Sequence, residues 1–262
     1  MPETPHLRSE TRGAARWIIA DNEARLNAYT AAMWRALPGH IRAAEADPDI
    51  RVIVLTGTGN RAFCAGADIT EFKDERQGEA AKVYDDFNNT AFGALMHCAK
   101  PTIAMIHGIC FGGGCELAVC CDFRIAADTA LFSIPAARLG IGYNARWIKP
   151  LLDVVGASKA KEMLLTARRY DAKAALAMGL VTTVVDKAAL HGETERLIGE
   201  LADNAPLSML AAKRAVDALS HPDGAVGMAA LDAVVDRCFA SADYAEGRRA
   251  FAEKRRPKFT GR

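Results

Sequence analysis

The sequence predicts an α/β fold that ends in an all-helical region, and three observations carry that prediction. Residues 51–55 and 102–106 are short, almost wholly apolar runs bracketed by turn residues, the mark of strands buried on both faces of a parallel sheet. Residues 27–46 change to an apolar spacing of three and four, the period of a helix packed on such a sheet. From Ser158 onward, nearly every segment keeps the helical period.

Taken in order, Arg16-Trp17-Ile18-Ile19-Ala20 predicts a short strand closed by Asp21-Asn22. In residues 27–46 the apolar positions are Ala28, Ala31, Ala32, Trp34, Leu37, Ile41 and Ala44, with Pro38 expected to kink or divide the helix. The strand at 51–55 runs into residues 57–68, which lack helical periodicity and predict an extended loop leading to a helix near 69–72. Residues 57–62 match a dinucleotide fingerprint literally, with alanine in the third slot, but no helix begins there. No GxxxxGK[ST] phosphate loop occurs. Residues 74–97 are charged and then amphipathic, and predict a mobile segment followed by a helix.

After the strand at 102–106 and the His107-Gly108 turn come Gly112, Gly113 and Gly114, followed by a buried helix at 115–120. Residues 123–126 and 130–133 predict two more strands around a turn at Asp128. The helices that follow are expected at 158–167, 172–178, 187–204, 206–219, 225–240 and 243–255, punctuated by Gly179, Pro206 and Pro222. No sequence repeat is detectable.

Length and composition bound the function. A chain of 262 residues, half of them hydrophobic, forms one large domain or one domain with a helical appendage; the expected division is a core at 1–200 and a helical region at 201–262. A net charge of +1 favours neither nucleic acid nor an acidic partner. No apolar run reaches the length of a membrane span, and the first residues lack the apolar core of a signal peptide. Seven cysteines, an odd number, point to free thiols in a reducing cytoplasm. Cys110, Cys115, Cys120 and Cys121 lie near His107, but in the most apolar segment and without paired CxxC spacing. They are expected as buried small hydrophobes and not as metal ligands.

The chemistry concentrates at the three glycines. Glycines at a helix start leave backbone N–H groups bare and let a ligand come close, and the helix dipole adds partial positive charge there. Glu116 sits in the same first turn. Such a place holds an anion and moves a proton, although a first-turn Glu is also favoured by the dipole alone.

Two motifs in order resemble one family. Phe63-Cys64-Ala65-Gly66-Ala67-Asp68-Ile69 is similar to the F-[CS]-A-G-[AG]-D-[IL] loop of the enoyl-CoA hydratase/isomerase (crotonase) superfamily. His107-Gly108, Gly112-Gly113-Gly114-Cys115-Glu116-Leu117 and Cys121-Asp122 resemble that superfamily's central motif. Ala174, Gly179-Leu180-Val181 and the stretch 246–259 add to a resemblance that runs from about Trp17 to Phe259. It implies a crotonase-like spiral of ββα units with a helical C-terminal trimerisation region, giving homotrimers often paired as hexamers. It also implies an acyl-coenzyme A thioester as substrate, with coenzyme A part of that substrate and no tightly bound cofactor.

Residue by residue, the resemblance makes the backbone N–H groups of Ala67 and Gly113 the hole for the thioester oxygen, and Glu116 the first catalytic carboxylate. Ala65, Ile69, Gly112 and Pro135 fall at substrate-lining positions. Asp68 is expected to cap the helix after it. Arg25 and Leu26 match the coenzyme-binding turn, and Phe251 and Lys254 match positions that approach the coenzyme of a neighbouring subunit. The second carboxylate of typical hydratases falls at Ala136, whose methyl group cannot carry a proton.

Candidate helpers are Arg138, which binds a carboxylate but is no ordinary acid or base, Asn144, which can orient water, and Tyr143, a proton donor or a gate. His107 is assigned to the turn. Three readings remain: a hydratase-type acyl-CoA lyase, a one-base double-bond isomerase, and an acyl-CoA binder with weak or no catalysis. The retained Glu116 counts against the last. A dinucleotide oxidoreductase is a distant fourth.

Overall fold

Side chains that alternate between two buried faces organise the molecule. The structure is a computed structural model that describes residues 4–71, 78–220 and 227–262. Strands β1 (His6–Arg12), β2 (Ala15–Asp21), β3 (Val52–Gly57), β5 (Thr102–Ile106), β7 (Phe123–Ala127) and β10 (Thr183–Val185) form one sheet in the order β1-β2-β3-β5-β7-β10. Only the β1–β2 hairpin in it is antiparallel. Strands β4 (Ala62–Cys64), β6 (Ile109–Phe111), β8 (Leu131–Ser133) and β9 (Tyr170–Asp171) form a second sheet, with only the β8–β9 pair antiparallel.

The pairs β3–β4, β5–β6 and β7–β8 each place their first strand in the large sheet and their second in the small one. Helices α2 (Gly78–Met96) and α3 (Gly113–Val119) follow the first two pairs. The result is the expected spiral of ββα units. Trp17, Ile19, Val52, Val54, Ile103 and Ile125 point to one core, shared with Leu190, Ile198 and Leu201 of α6 (Leu190–Ala202). Their neighbours Ile18, Ile53, Leu55, Ala104 and Ile106 point to the other, which holds α1 (Ala31–Ala46) and the second sheet. That two-sided burial is why the strands read as continuous apolar runs.

Several elements differ from the sequence reading. α1 begins at Ala31, because the Thr30 side chain accepts a hydrogen bond from Met33 N (3.3 Å) and caps it there. Pro38 sits inside this helix without dividing it. Residues 62–64 of the expected loop form β4, and the segment after it is a 3-10 turn at Ile69–Glu71; Phe72 lies outside the described residues. The same holds for the charged part of 74–97 up to residue 77, for Pro222 and for residues 225–226.

Strands β1, β6, β9 and β10 had no counterpart in the sequence reading. Helix α4 (Ala145–Thr166) starts thirteen residues before the expected 158, its two halves joined at Gly156, where φ is 73°. α5 (Ala172–Ala177), α7 (Pro206–Ser220), α8 (Met228–Phe239) and α9 (Ala242–Ala252) fall where helices are expected.

The helical C-terminal region is tied to the core by polar contacts. Lys213 Nζ on α7 meets Asp122 Oδ2 at 2.6 Å, and Asp122 also accepts from Thr102 N at 2.8 Å. The last residues return to α9, where Asp243 accepts from Thr260 N (2.6 Å) and Gly261 N (2.7 Å). Among the described residues no helix is long and apolar enough to cross a membrane.

Candidate active site

The site is assembled where the loop after β4 meets the start of α3. Residues 22–30 hold that loop by backbone pairing: Ala65 N donates to Leu26 O (3.0 Å), Tyr29 N to Gly66 O (2.8 Å) and Asp68 N to Tyr29 O (2.9 Å). Tyr29 and Ala67 thus form a parallel bridge. Because extended backbone alternates the direction of its N–H groups, the Ala67 N–H points away from this segment, and Ala67 lines the neighbouring cavity.

Buried Asn27 secures the turn from beneath, its Nδ2 donating to Thr58 O (2.9 Å) and Ala62 O (2.6 Å). Leu26 and Asn27 both adopt positive φ, 54° and 56°. Asp68 caps the 3-10 turn after it, accepting from Thr70 N (3.0 Å) and Thr70 Oγ1 (2.7 Å).

The second strand of the site comes from α3. Gly112 is its N-cap, so the N–H of Gly113 opens the helix with no carbonyl four residues behind it. Gly66 lies against it with φ at +104°; a Cβ there would stand 3.1 Å from Phe111 O and 3.4 Å from Gly113 N. Any side chain at 66 would therefore both strain the loop and cover the donor. A Cβ on Gly113 would meet Trp34 Cζ2 at 3.2 Å. Ala67 and Gly113, neither of whose N–H groups has a backbone acceptor, line one cavity. Two converging donors of this kind accommodate an oxygen that gains negative charge.

That cavity measures about 100 Å³. Ala65, Ala67, Ile69, Gly112, Gly113, Glu116 and Pro135 line it, together with Ala136. Its remaining wall is largely aromatic: the sequence candidate Tyr143 stands there with Trp34, Phe92 and Trp147, which the sequence reading did not place at the site, and the ring centroids are 5.4 to 6.2 Å apart in succession. Trp147 is fixed by a hydrogen bond from its Nε1 to Asn89 Oδ1 (2.9 Å). Asn88, Leu139 and Ile141 complete the lining.

Glu116 is 1% exposed, and neither carboxylate oxygen has a hydrogen-bond partner of good geometry. Burial pushes its carboxyl up to about 8, opposed only by the approach of the Tyr143 hydroxyl. A carboxyl so placed exchanges a proton near neutral pH, where an ordinary glutamate is fully ionised. It is the only carboxylate lining the cavity among the described residues.

Other candidates lie elsewhere. Arg25 is exposed and Leu26 half-buried on the turn behind the loop, Leu26 touching it through its carbonyl. Arg138 is exposed and outside the cavity. Asn144, expected as a water-orienting group, instead caps α4, its Oδ1 accepting from Arg146 N at 3.0 Å. Phe251 and Lys254 sit exposed on the C-terminal region, and Phe251 lines a separate groove there. His107 is buried beside Thr56 (Nδ1 to Oγ1, 3.4 Å), off the cavity, and burial lowers it to about 4. The cysteines at 64, 98, 110, 115, 120 and 121 are buried free thiols. No group of metal-ligating side chains occurs among the described residues.

Residues 14–262 match the family described as Enoyl-CoA hydratase/isomerase. The chain is 36% identical to a carnitinyl-CoA dehydratase of Proteus mirabilis, over the full length of both proteins. It is 32% identical to a short-chain-enoyl-CoA hydratase of Clostridium acetobutylicum over 94% of each. Among solved structures, an enoyl-CoA hydratase/carnithine racemase from Magnetospirillum magneticum superposes with a TM-score of 0.93 and 36% identity. That match covers 98% of this chain and 96% of the other.

Proposed function

The chain belongs to the enoyl-CoA hydratase/isomerase family, and on that premise we propose that it processes a short acyl-coenzyme A thioester by hydratase-type chemistry. In this reading the Ala67 and Gly113 N–H groups receive the thioester oxygen as an enolate forms, and Glu116 moves the proton. Stabilising that oxygen with two preorganised donors contributes about 3–4 kcal/mol per donor in comparable sites.

The observation that carries the reading is the buried Glu116 carboxyl, approached by the Tyr143 hydroxyl alone, in the cavity those donors line. No tightly bound cofactor is required. Arg25, Leu26 and the loop at Ala65–Ile69 form the approach for the nucleotide end, and Asp68 supports that loop as a cap.

The methyl of Ala136 in the cavity wall favours a second reading, a one-base double-bond isomerase. A cytoplasmic homotrimer or hexamer is part of the proposal, with the helical region at 201–262 as the assembly surface. Phe251 and Lys254 would then reach the coenzyme of a neighbouring subunit.

A melting experiment tests the ligand class. Crotonyl-CoA at a hundred times its dissociation constant stabilises a one-site protein by about 2.7 kcal/mol and raises Tm accordingly. Free NAD should leave Tm unchanged. Equal shifts from both, or from neither, would overturn the thioester assignment.

A further inference from the structure

Hydration needs a water held at a fixed angle to the double bond, and a single carboxylate holds only one of its hydrogens. Resting on the thioester reading above, we propose that Asn88 on α2 is the second water-holding group, standing in for the carboxylate that Ala136 lacks. Asn88 is 4% exposed and lines the cavity with Glu116, yet its Oδ1 has no hydrogen-bond partner. A buried carbonyl oxygen left without a donor is destabilising unless water or ligand satisfies it.

Asn88 also breaks its own helix pattern. Tyr84, Ala91, Phe92 and Leu95 form the buried stripe of α2, and Asn88 is the polar residue set within it, four positions before Phe92.

The other polar side chains of the cavity do not fill this role. Trp147 and Trp34 carry only donors, and Tyr143 engages Glu116. Asn144 and Arg138, the helpers the sequence offered, lie outside the lining. Trp34 Nε1 is itself buried without an acceptor. A water that donates to Asn88 Oδ1 and to ionised Glu116, and accepts from Trp34 Nε1, has three partners, the usual number for a buried water. One lone pair stays free to attack.

The step balances with Glu116 alone as the proton carrier. The water oxygen bonds to the β-carbon while its proton passes to the Glu116 carboxylate. The electron pair of the double bond moves onto the thioester as an enolate, between the Ala67 and Gly113 N–H groups. The α-carbon then takes the proton back from Glu116. Water has been added and the carboxylate restored, while the Asn88 amide orients water without exchanging a proton.

The test compares crotonyl-CoA hydration by the wild-type protein, Asn88→Leu and Asn88→Asp, with KM, kcat and the thioester-induced Tm shift for each. Asn88→Leu should lower kcat about 100-fold, the cost of a misplaced reactant, with KM and the Tm shift within twofold of wild type. Asn88→Asp, which keeps an acceptor oxygen, should recover most of that loss. A wild-type kcat in Asn88→Leu, a change confined to KM, or equal losses in both variants would overturn the proposal. A wild-type protein that binds crotonyl-CoA without hydrating it overturns the water-holding role alone. A protein that shows no thioester Tm shift overturns the functional reading beneath it.

Discussion

Glu116 sits where a carboxylate is least comfortable, and that discomfort has a measurable sign. Its carboxyl keeps its proton up to about pH 8 in the folded protein, because burial penalises the charge, while its ordinary value is 4.5. Below about pH 4.5 both states are protonated and the residue makes no difference. Between there and about 8 the unfolded chain releases the proton first, so this residue lowers stability as pH rises; above about 8 the penalty is constant. Its size is on the order of 5 kcal/mol. Glu116→Gln removes the titration. The Tm difference, variant minus wild type, should therefore grow from pH 5 to pH 8.5. A difference that stays flat with pH would show that Glu116 is not held protonated by the fold.

At the scale of elements, what the sequence disclosed depended on how each segment is buried. β2, β3, β5 and β7 were legible because side chains on both faces are buried and the runs are apolar throughout. β1 reads HLRSETR, a polar edge strand whose only partner among the described residues is β2, so neither face marks it. β6, β9 and β10 are two or three residues long, too short for any period.

The site divides along the same line. Ala67, Gly113 and Glu116 come from two compact motifs, 63–69 and 107–122, which the fold brings to one cavity. The cavity's far wall comes from α1, α2 and α4, elements distant in sequence, and no local signal links Trp34, Phe92 and Trp147. Asn88 did leave a trace, as a polar residue within an apolar helical stripe. The cap at Asn144 has a physical source, since an Asn just before a helix is a favoured N-cap whatever stands beside it.

At the scale of the whole molecule, the exposed apolar surface gathers on the C-terminal helices. Phe239 is 61% exposed and Phe251 87%, and with Leu207, Val235, Tyr244 and Phe259 they line a groove of about 600 Å³. An apolar patch of this kind is characteristic of a protein–protein contact. If the proposed trimer uses it, Phe251→Asp should shift the sedimenting species from trimer or hexamer toward monomer without unfolding the chain, since the side chain contributes little to the monomer's core. An unchanged assembly would move the interface elsewhere.

In the proposed mechanism one buried carboxylate carries the chemistry of a thioester held by two backbone donors. The most direct test follows the loss of enoyl-thioester absorbance with crotonyl-CoA, for wild type and Glu116→Gln, from pH 6 to pH 9. Wild-type turnover should rise with pH toward about 8, as Glu116 ionises. The Gln variant should be slower by about 100-fold or more, with its thioester-induced Tm shift intact. Turnover by Glu116→Gln at the wild-type rate would take the proton-carrying role away from Glu116.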